Sequence, residues 1–440
     1  MKRFWQKIKN VYHLFCSIGA AFWFGFPARK LKVIGVTGTN GKTTTVQLIG
    51  RILEMAGNKV AVSSTINFKL GNDERINTTK FTTLSGPAVQ RFLFQAVKAQ
   101  CQYAVLEVSS HALDQSRLWG IDFEVAVITN LTPEHLDYHQ TMEEYLKAKL
   151  KLFKKAKVAV VNLEMEGAEK FLDCDVEERW GYAVGKDLNL KFQIPNLKFI
   201  KAEELEQGKD FSKFKVGGIQ FNLKLLGRFN VENALAAICV GRSQDIDWAV
   251  INKALSEVEK VSGRLDRVEN ELNLNILIDY AVTPDSMKKV GELILSMKKP
   301  SEKIIWVFGA CGRRDQGKRP LMGQAVATVA DFAIVTNEDP YDENPREIID
   351  QVFEGLVNGK ISTNEFQITK EKIEGKNCWR ILDRKKAIEK AINLAQAGDW
   401  ILITGKGAEE TMAISKTKRI DWNDRQVVKD VLASLRVQKG

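Results

Sequence analysis

The chain has 440 residues, of which 44% are hydrophobic, and a formal charge of +10. That is enough for two or three domains with their own cores, and it excludes disorder for most of the length. Six scattered cysteines (Cys16, Cys101, Cys174, Cys239, Cys311, Cys378) form no C-x-x-C pair, which argues against a zinc ribbon or redox motif and points to a reducing cytosol. No RNP-like, helix-turn-helix or zinc-finger pattern accompanies the charge, so nucleic acid is not an expected partner.

The basic excess gathers at the front, where the first acidic residue is Glu54. The opening 30 residues put Lys and Arg on both sides of the mostly apolar run Val11 to Phe26, which is 16 residues long. A spanning helix needs about 20, so this segment is expected to pack on the protein or a partner, or to lie in a membrane interface, with a true span as the remaining alternative. From Leu31 strands and helices alternate: LKVIGVTG, a helix from Lys42 to about Ala56, KVAVSST, a helix around 86 to 99, YAVLEVSS, VAVITNL and VAVVNLE. Apolar runs joined by helical periods predict a mostly parallel, doubly wound sheet. An irregular, β-prone stretch is expected at about 180 to 225, followed by a helix over NVENALAAICVGRS. A second alternating series begins after VSGRLDRVE with LNILIDYA, KIIWVFGAC, DFAIVT and DWILITGKG, so a boundary falls near Ser262. The expected organisation is α/β throughout: an N-terminal helix over 1–30, a central phosphate-loop domain with a mostly parallel sheet over 31–262, and a Rossmann-like α/β domain over 263–440.

GVTGTNGKTTT lies between the first strand and the first helix, where a phosphate-binding loop must sit. Backbone N–H groups of Gly38, Thr39, Asn40 and Gly41 would hold phosphate oxygens, Lys42 would reach the β and γ phosphates, and Thr43 would ligate Mg²⁺, with Thr44 beside it. The usual first glycine of such a loop would fall at Val36, a departure from the pattern. Three of the four histidines, His111, His135 and His139, follow predicted strand ends in the same sheet. With Glu107 and Asp137 nearby, they suggest one site for a second Mg²⁺, although that ion prefers oxygen ligands. The loop TNEDPYDENP, residues 336 to 345, leaves a strand with two prolines and four carboxylates, and a loop at a strand end is where an α/β protein meets a ligand.

GTNGKTTT, EVSSHALDQSR, NLTPEHLDYHQTMEEYLKAK, LLGRFNVENALAA, SGRLDRVE, IDYAVTPDSM, GACGRRDQGKRPLM and GKGAEE occur in the order found in the Mur ligases. The chain resembles that family from about Leu31 to Arg436, and within it the tripeptide-synthetase type that adds the third peptide residue. The resemblance implies ATP-dependent amide bond formation through an acyl phosphate between a muramoyl-dipeptide carboxylate and a free amino acid, in cytoplasmic peptidoglycan precursor synthesis. It implies catalytic roles for Lys42, Glu107, His135 and Lys149, with Thr43, Glu107, His135 and a CO2-carbamoylated Lys149 around Mg²⁺. Read without the resemblance, Lys149 is one of several lysines on a solvated basic helix face. The resemblance assigns Thr82, Thr83, Ser109, Gln115 and Arg117 to the acceptor, and Asn130, Asn230, Asn233, Arg264 and Asp279 to ATP, with cleft closure implied by contacts from both domains. Arg314, Glu338, Asp339, Pro340, Tyr341, Gly405 and Glu409 match the amino-acid pocket.

The pattern departs from the family in places. No counterpart of the family's N-terminal UDP-binding domain precedes the phosphate loop, which leaves room for a lipid-linked acceptor and for peripheral membrane contact by residues 1–30 at the inner face. Val282 stands where a histidine is usual, and Leu84 where proline is common. The D-N-P-R that reads diaminopimelate is replaced by Glu338, Asp339, Pro340 and Tyr341, which favours an amino acid with a distal ammonium, such as lysine or ornithine, unless an arginine such as Arg313 substitutes. Asp342 and Glu343 are expected to be solvated. Alternatives from the residues are another ligase of the superfamily, of the folylpolyglutamate or cyanophycin type, which leaves EVSSHALDQSR and GRRDQGKRPLM unexplained, and a nucleotide-binding partner without ligase activity.

Overall fold

The structure, a computed structural model, describes residues 2–185, 194–358 and 371–437, and the chain divides into two compact units, Met1–Glu259 and Lys260–Gly440. The cut lies just before Ser262.

The first unit opens with α1 (Lys2–Trp23), which ends where Gly25 takes a positive φ and a single 3₁₀ turn, Pro27–Lys30, leads into β1 (Lys32–Thr37). Then follow α2 (Lys42–Met55), β2 (Val60–Ser63), β3 (Asn67–Leu70), β4 (Asp73–Ile76), α3 (Gly86–Lys98), β5 (Tyr103–Glu107), α4 (Ser110–Asp114) and β6 (Phe123–Ile128). The unit continues with α5 (Leu136–His139), α6 (Met142–Phe153), β7 (Ala156–Asn162), α7 (Ala168–Leu172), β8 (Glu178–Val184), β9 (Leu197–Gln207), β10 (Ser212–Val216), β11 (Ile219–Leu223), α8 (Arg228–Ser243) and α9 (Trp248–Ser256). One eleven-stranded sheet runs β11-β10-β9-β8-β7-β6-β1-β5-β2-β3-β4. Its centre, from β2 to β9, is parallel; β3, β4, β10 and β11 add antiparallel edges.

The central strands are buried on both faces, as helices on either side of a parallel sheet require, and this is why they read as unbroken apolar runs. Leu93, Phe92, Phe123, Phe153 and Phe171 fill one face of the sheet. Each such side chain contributes about 1.5–3 kcal/mol when fully buried. The stretch at 180–225, expected to be irregular, is instead regular sheet: β8 and β9 extend the parallel core and β10 and β11 close it as a hairpin. Residues 186–193 of that stretch lie outside the described residues. The N-terminal segment joins this unit through α1, which packs on α3 so closely that a Cβ at Gly86 would run into the Ser17 hydroxyl.

The second unit comprises β12 (Asp266–Val268), β13 (Asn275–Asp279), α10 (Pro284–Met297), β14 (Ile304–Phe308), α11 (Lys318–Ala327), β15 (Phe332–Thr336), α12 (Pro345–Val357) and β16 (Cys378–Ile381). It ends with α13 (Arg384–Leu394), β17 (Trp400–Thr404), β18 (Thr411–Ala413), β19 (Arg419–Asp421) and α14 (Asp424–Val437). Its six-stranded sheet, β12-β13-β17-β14-β15-β16, is parallel except at β12. Ile276, Ile278, Ile401, Ile403 and Ile334 pack one face against Ile388 and Val428. The second proline of TNEDPYDENP does not end structure: Pro345 opens α12, where its missing N–H costs nothing, and Asn344 caps the helix by accepting from the Arg346 N–H.

Candidate functional site

In the first unit, β1 lies between β5 and β6, so the chain reverses its winding direction there and the C-terminal strand ends open a crevice. The loop after β1 is held from beneath. Thr39 N–H and Asn40 N–H donate to the Asn130 carbonyl (3.0 Å) and side-chain oxygen (2.8 Å), and the Thr129 hydroxyl donates to the Asn40 carbonyl (2.6 Å). Gly38 and Gly41 have φ of 150° and 83°, and a Cβ at either would strike Thr129 Oγ1 or Asn233 Oδ1. Only glycine fits both positions. Lys42 Nζ donates back to the Gly38 and Thr39 carbonyls (3.1 and 2.7 Å), across the mouth of the loop. Thr44 is buried beside Thr43 at the start of α2.

Glu107, at the end of β5, is buried and central. Its Oε2 accepts from the Thr43 hydroxyl (3.0 Å) and the Thr65 N–H (2.7 Å), and its Oε1 from the Thr65 hydroxyl (2.9 Å). Thr65 was not singled out from sequence; its place just past β2, beside β5, was the available signal. From Glu107 the network runs on. Its carbonyl accepts from the Thr83 hydroxyl (2.9 Å), Thr83 Oγ1 accepts from the Ser109 N–H (2.9 Å), and Arg117 donates to the Thr83 carbonyl (3.2 Å) and to Gln115 Oε1 (2.8 Å). Thr82 reaches the same group through Thr65 (3.2 Å). All five expected acceptor residues thus join the phosphate loop in one hydrogen-bonded chain.

Lys149 is fully buried on α6, far from the solvated face its neighbours suggested, with Nζ 2.9 Å from the Gly38 carbonyl and 4.3 Å from the centre of the Tyr145 ring. Burial, and next the positive charge of Lys42, push its ammonium well below the usual lysine range. Tyr145, also missed from sequence, ties this lysine to the loop through Thr39 (3.2 Å).

The three histidines do gather, with ring centres 4.7 Å apart for His111 and His135 and 5.5 Å for His111 and His139. They form an aromatic group with Tyr138 and Tyr145, and among the described residues no three His, Cys, Asp or Glu side chains stand together as a metal-holding group. The imidazole rings pack against one another and against the two tyrosines. His139 is bonded to Ser110 (3.0 Å), and burial pushes its pKa down to about 4. His135 has a φ of 59° and stands 3.6 Å from the Glu134 carboxylate. The Thr43 hydroxyl and Glu107 carboxylate are oxygen donors of the kind a hard Mg²⁺ ion takes.

Asn230 and Asn233 are buried on α8. Asn233 lies under Gly41, accepting from the Thr45 hydroxyl (3.2 Å) and donating to Asn230 (3.1 Å), which donates to the Leu226 carbonyl (2.8 Å). Asn233 thus braces the start of α2, and Asn230 braces Asn233.

In the second unit the expected residues again collect at C-terminal strand ends. The Asp279 carboxylate is buried and accepts from the Leu265 N–H (2.8 Å); burial raises its pKa, and the nearby Arg264 opposes the shift. Arg264 stacks 4.7 Å over Tyr280, whose hydroxyl donates to Glu409 (3.4 Å). Glu338 is buried, and its Oε2 has no hydrogen-bond partner among the described residues. Burial pushes its carboxyl up to about 7, against the charges of Arg384 and Lys406. A Cβ at Gly405, whose φ is 114°, would run into that same oxygen. Asp339 accepts from Lys406 Nζ (2.9 Å) and from the Ala413 N–H (2.6 Å). Lys406, missed from sequence, is buried and also pairs with Glu409.

Asp342 and Glu343 are not merely solvated. Asp342 pairs with Arg313, the arginine named above as a substitute for the missing one, and Glu343 pairs with buried Arg319 (2.7 Å). Arg314 stands exposed and bonds to Cys311, with Tyr280 and the half-buried Tyr341 near its charge. Pro340 is buried, with its carbonyl against Gly312.

Residues 36–241 match the Mur ligase middle domain, and residues 263–407 match the Mur ligase glutamate ligase domain. Over 94% of its length the chain is 36% identical to the UDP-N-acetylmuramoyl-L-alanyl-D-glutamate–2,6-diaminopimelate ligase of Syntrophomonas wolfei, covering 80% of that protein. It is 34% identical to the UDP-N-acetylmuramyl-tripeptide synthetase of a Roseiflexus species, over 98% of this chain and 84% of that one. A solved UDP-N-acetylmuramoyl-L-alanyl-D-glutamate–2,6-diaminopimelate ligase superposes with a TM-score of 0.59 at 30% identity, over 92% of this chain and 79% of the other.

Proposed function

The chain belongs to the Mur ligase family, whose members join amide bonds at the expense of ATP in building peptidoglycan precursors, and on that premise we propose that it adds an amino acid to a muramoyl dipeptide in the cytoplasm. A carboxylate oxygen of the acceptor attacks the γ-phosphorus of ATP and ADP leaves. The amine nitrogen then attacks the acyl phosphate carbon, gives up a proton, and expels phosphate from the tetrahedral intermediate. The demand is positioning and neutralisation of charge, as in other phosphoryl transfers. Gly38 to Thr44 would cradle the phosphates, Lys42 would meet the transferred group, and Arg117, Ser109 and Thr83 would hold the acceptor. Mg²⁺, which the family uses, would be held by Thr43 and Glu107 and would supply charge neutralisation. The observation that carries this reading is the unbroken hydrogen-bonded path from Thr43 through Glu107 to Thr83 and Arg117.

Lys149 is the residue we assign to carbamoylation: its neutral amine would add to CO2 with loss of one proton, placing an oxygen anion beside the loop. Depression of its pKa supports this, because only the free amine is nucleophilic. A carbamate resonance should appear on adding ¹³C-bicarbonate and be absent from Lys149→Ala; an unchanged spectrum in both would end this assignment.

For the incoming amino acid we favour a distal ammonium, to which the partnerless Oε2 of Glu338 is suited. Diaminopimelate is the second reading, favoured by the names of relatives at 36% identity. Purified protein with ATP, Mg²⁺ and a muramoyl-dipeptide acceptor should release phosphate on addition of lysine, ornithine or diaminopimelate, and not glutamate. No amino-acid-dependent release with any acceptor would refute the ligase reading.

A further inference from the structure

Helix α1 has two unlike faces. Its inner face is polar and tied to the unit: Gln6 donates to the Tyr138 hydroxyl (2.9 Å), Asn10 donates to Asp114 (2.9 Å), and Ser17 is buried against Gly86. Its outer face is apolar and solvent-exposed. Trp5, Ile8, Tyr12 and Phe15 recur at three- and four-residue steps, and Phe22 and Trp23 follow two turns on, with exposures of 57, 43, 65, 67, 67 and 85%. At about 100° per residue these fall on one side of a rod roughly 33 Å long. A row of large exposed aromatics of this extent is not ordinary surface.

Charge selects what can cover it. Lys7 and Lys9 are exposed and flank the stripe, one on each side, Arg29 and Lys30 are exposed beyond its end, and no acidic residue occurs before Glu54. Lys151, bound to the other oxygen of Asp114 (2.9 Å), lines a cavity of about 280 Å³ with exposed Lys154 and Lys155. A second copy of the chain would set like charges against each other, which costs affinity. A transmembrane course is excluded for α1, since no described helix is long and apolar enough and its inner face is bonded to protein.

We propose that α1 is an interfacial helix that seats the first unit on an anionic lipid bilayer, with Tyr12, Phe15, Phe22 and Trp23 at the acyl boundary and Lys7 and Lys9 at the phosphates. Aromatic residues with one polar end, and lysines on the flanks, suit that boundary. Tyr138 also accepts from Gln115 (3.2 Å), so the seated helix stands two hydrogen bonds from the acceptor residues; delivery of an acceptor from the same leaflet rests on the function proposed above.

The full chain should sediment with vesicles of phosphatidylglycerol and phosphatidylcholine, and far less with phosphatidylcholine alone. The pair Phe15→Glu and Phe22→Glu should weaken this by roughly tenfold or more, as should Lys7→Ala with Lys9→Ala, while all variants keep the wild-type melting temperature. Equal sedimentation of the Phe15→Glu, Phe22→Glu protein, no sedimentation of the full chain with anionic vesicles, or a concentration-dependent dimer abolished by that pair would overturn the proposal. Amino-acid-dependent phosphate release, measured with a water-soluble and with a lipid-linked acceptor, is a separate arm: its absence with both in the wild type would refute the ligase reading and leave the lipid contact standing.

Discussion

Glu338 sits where burial and ligand chemistry oppose each other. Its carboxyl is enclosed beside Gly405 with one oxygen unmatched, and its pKa of about 7 lies above the ordinary 4.5 because desolvation outweighs Arg384 and Lys406. The sign follows from linkage: the neutral form's contribution to stability is full below about pH 4.5 and is lost as pH rises through about 7. Glu338→Gln should therefore flatten the fall in urea stability between those values. The charged form is the one an ammonium would need, so the KM for the amino acid should drop as pH rises through about 7 in the wild type and stay high and level in Glu338→Gln. A level wild-type profile would remove Glu338 from the pocket. Asp339, its neighbour in sequence, differs in that both of its oxygens have partners, Lys406 and the Ala413 N–H.

At the scale of elements, the phosphate loop depends on a helix nearly two hundred residues away in sequence. Through Asn233, α8 supports Gly41 and Thr45, and α8 in turn is held in place by its buried apolar residues. Asn233→Ala should weaken nucleotide binding by about tenfold, the effect of roughly one lost hydrogen bond on a loop that must be pre-formed. Calorimetric titration with a non-hydrolysable ATP analogue would measure it, and an unchanged affinity would show that the loop holds its shape without α8. In the second unit α13 and α14 are joined by the fully buried pair Arg384 and Asp424 (2.7 Å). Removing one member of such a pair costs about 3–5 kcal/mol because the other is left charged in the interior.

For the whole molecule, α1 does more than decorate the first unit. It covers Gly86 and α3, and it fixes Asp114 and Tyr138 through Asn10 and Gln6. A chain lacking residues 2–23 should lose on the order of 2 kcal/mol, from its small buried residues and two hydrogen bonds. At about 2–4 °C per kcal/mol for a domain of this size, the melting temperature of the first unit should fall by roughly 5 °C. A scanning calorimetry trace unchanged by the deletion would mean that the inner face contributes nothing to the fold.

Local pattern sufficed where chemistry is carried by contiguous residues. The alternating apolar runs, the Gly-rich loop before α2 and the helix bounds Lys42–Met55 and Gly86–Lys98 were legible because each follows from a few neighbouring residues. The residues proposed for the acceptor and the amino acid were named only through family resemblance, since their spacing along the chain says nothing of their meeting. Folding alone decided the rest. It took Lys149 out of a basic helix face and buried it by the loop, packed the histidines as rings, gave Asp339 to Lys406, and brought in Thr65, Tyr145 and Lys406. The reason is that burial and charge pairing are set by residues distant in sequence, so a side chain's exposure, and with it its protonation, exists only once the sheets have assembled.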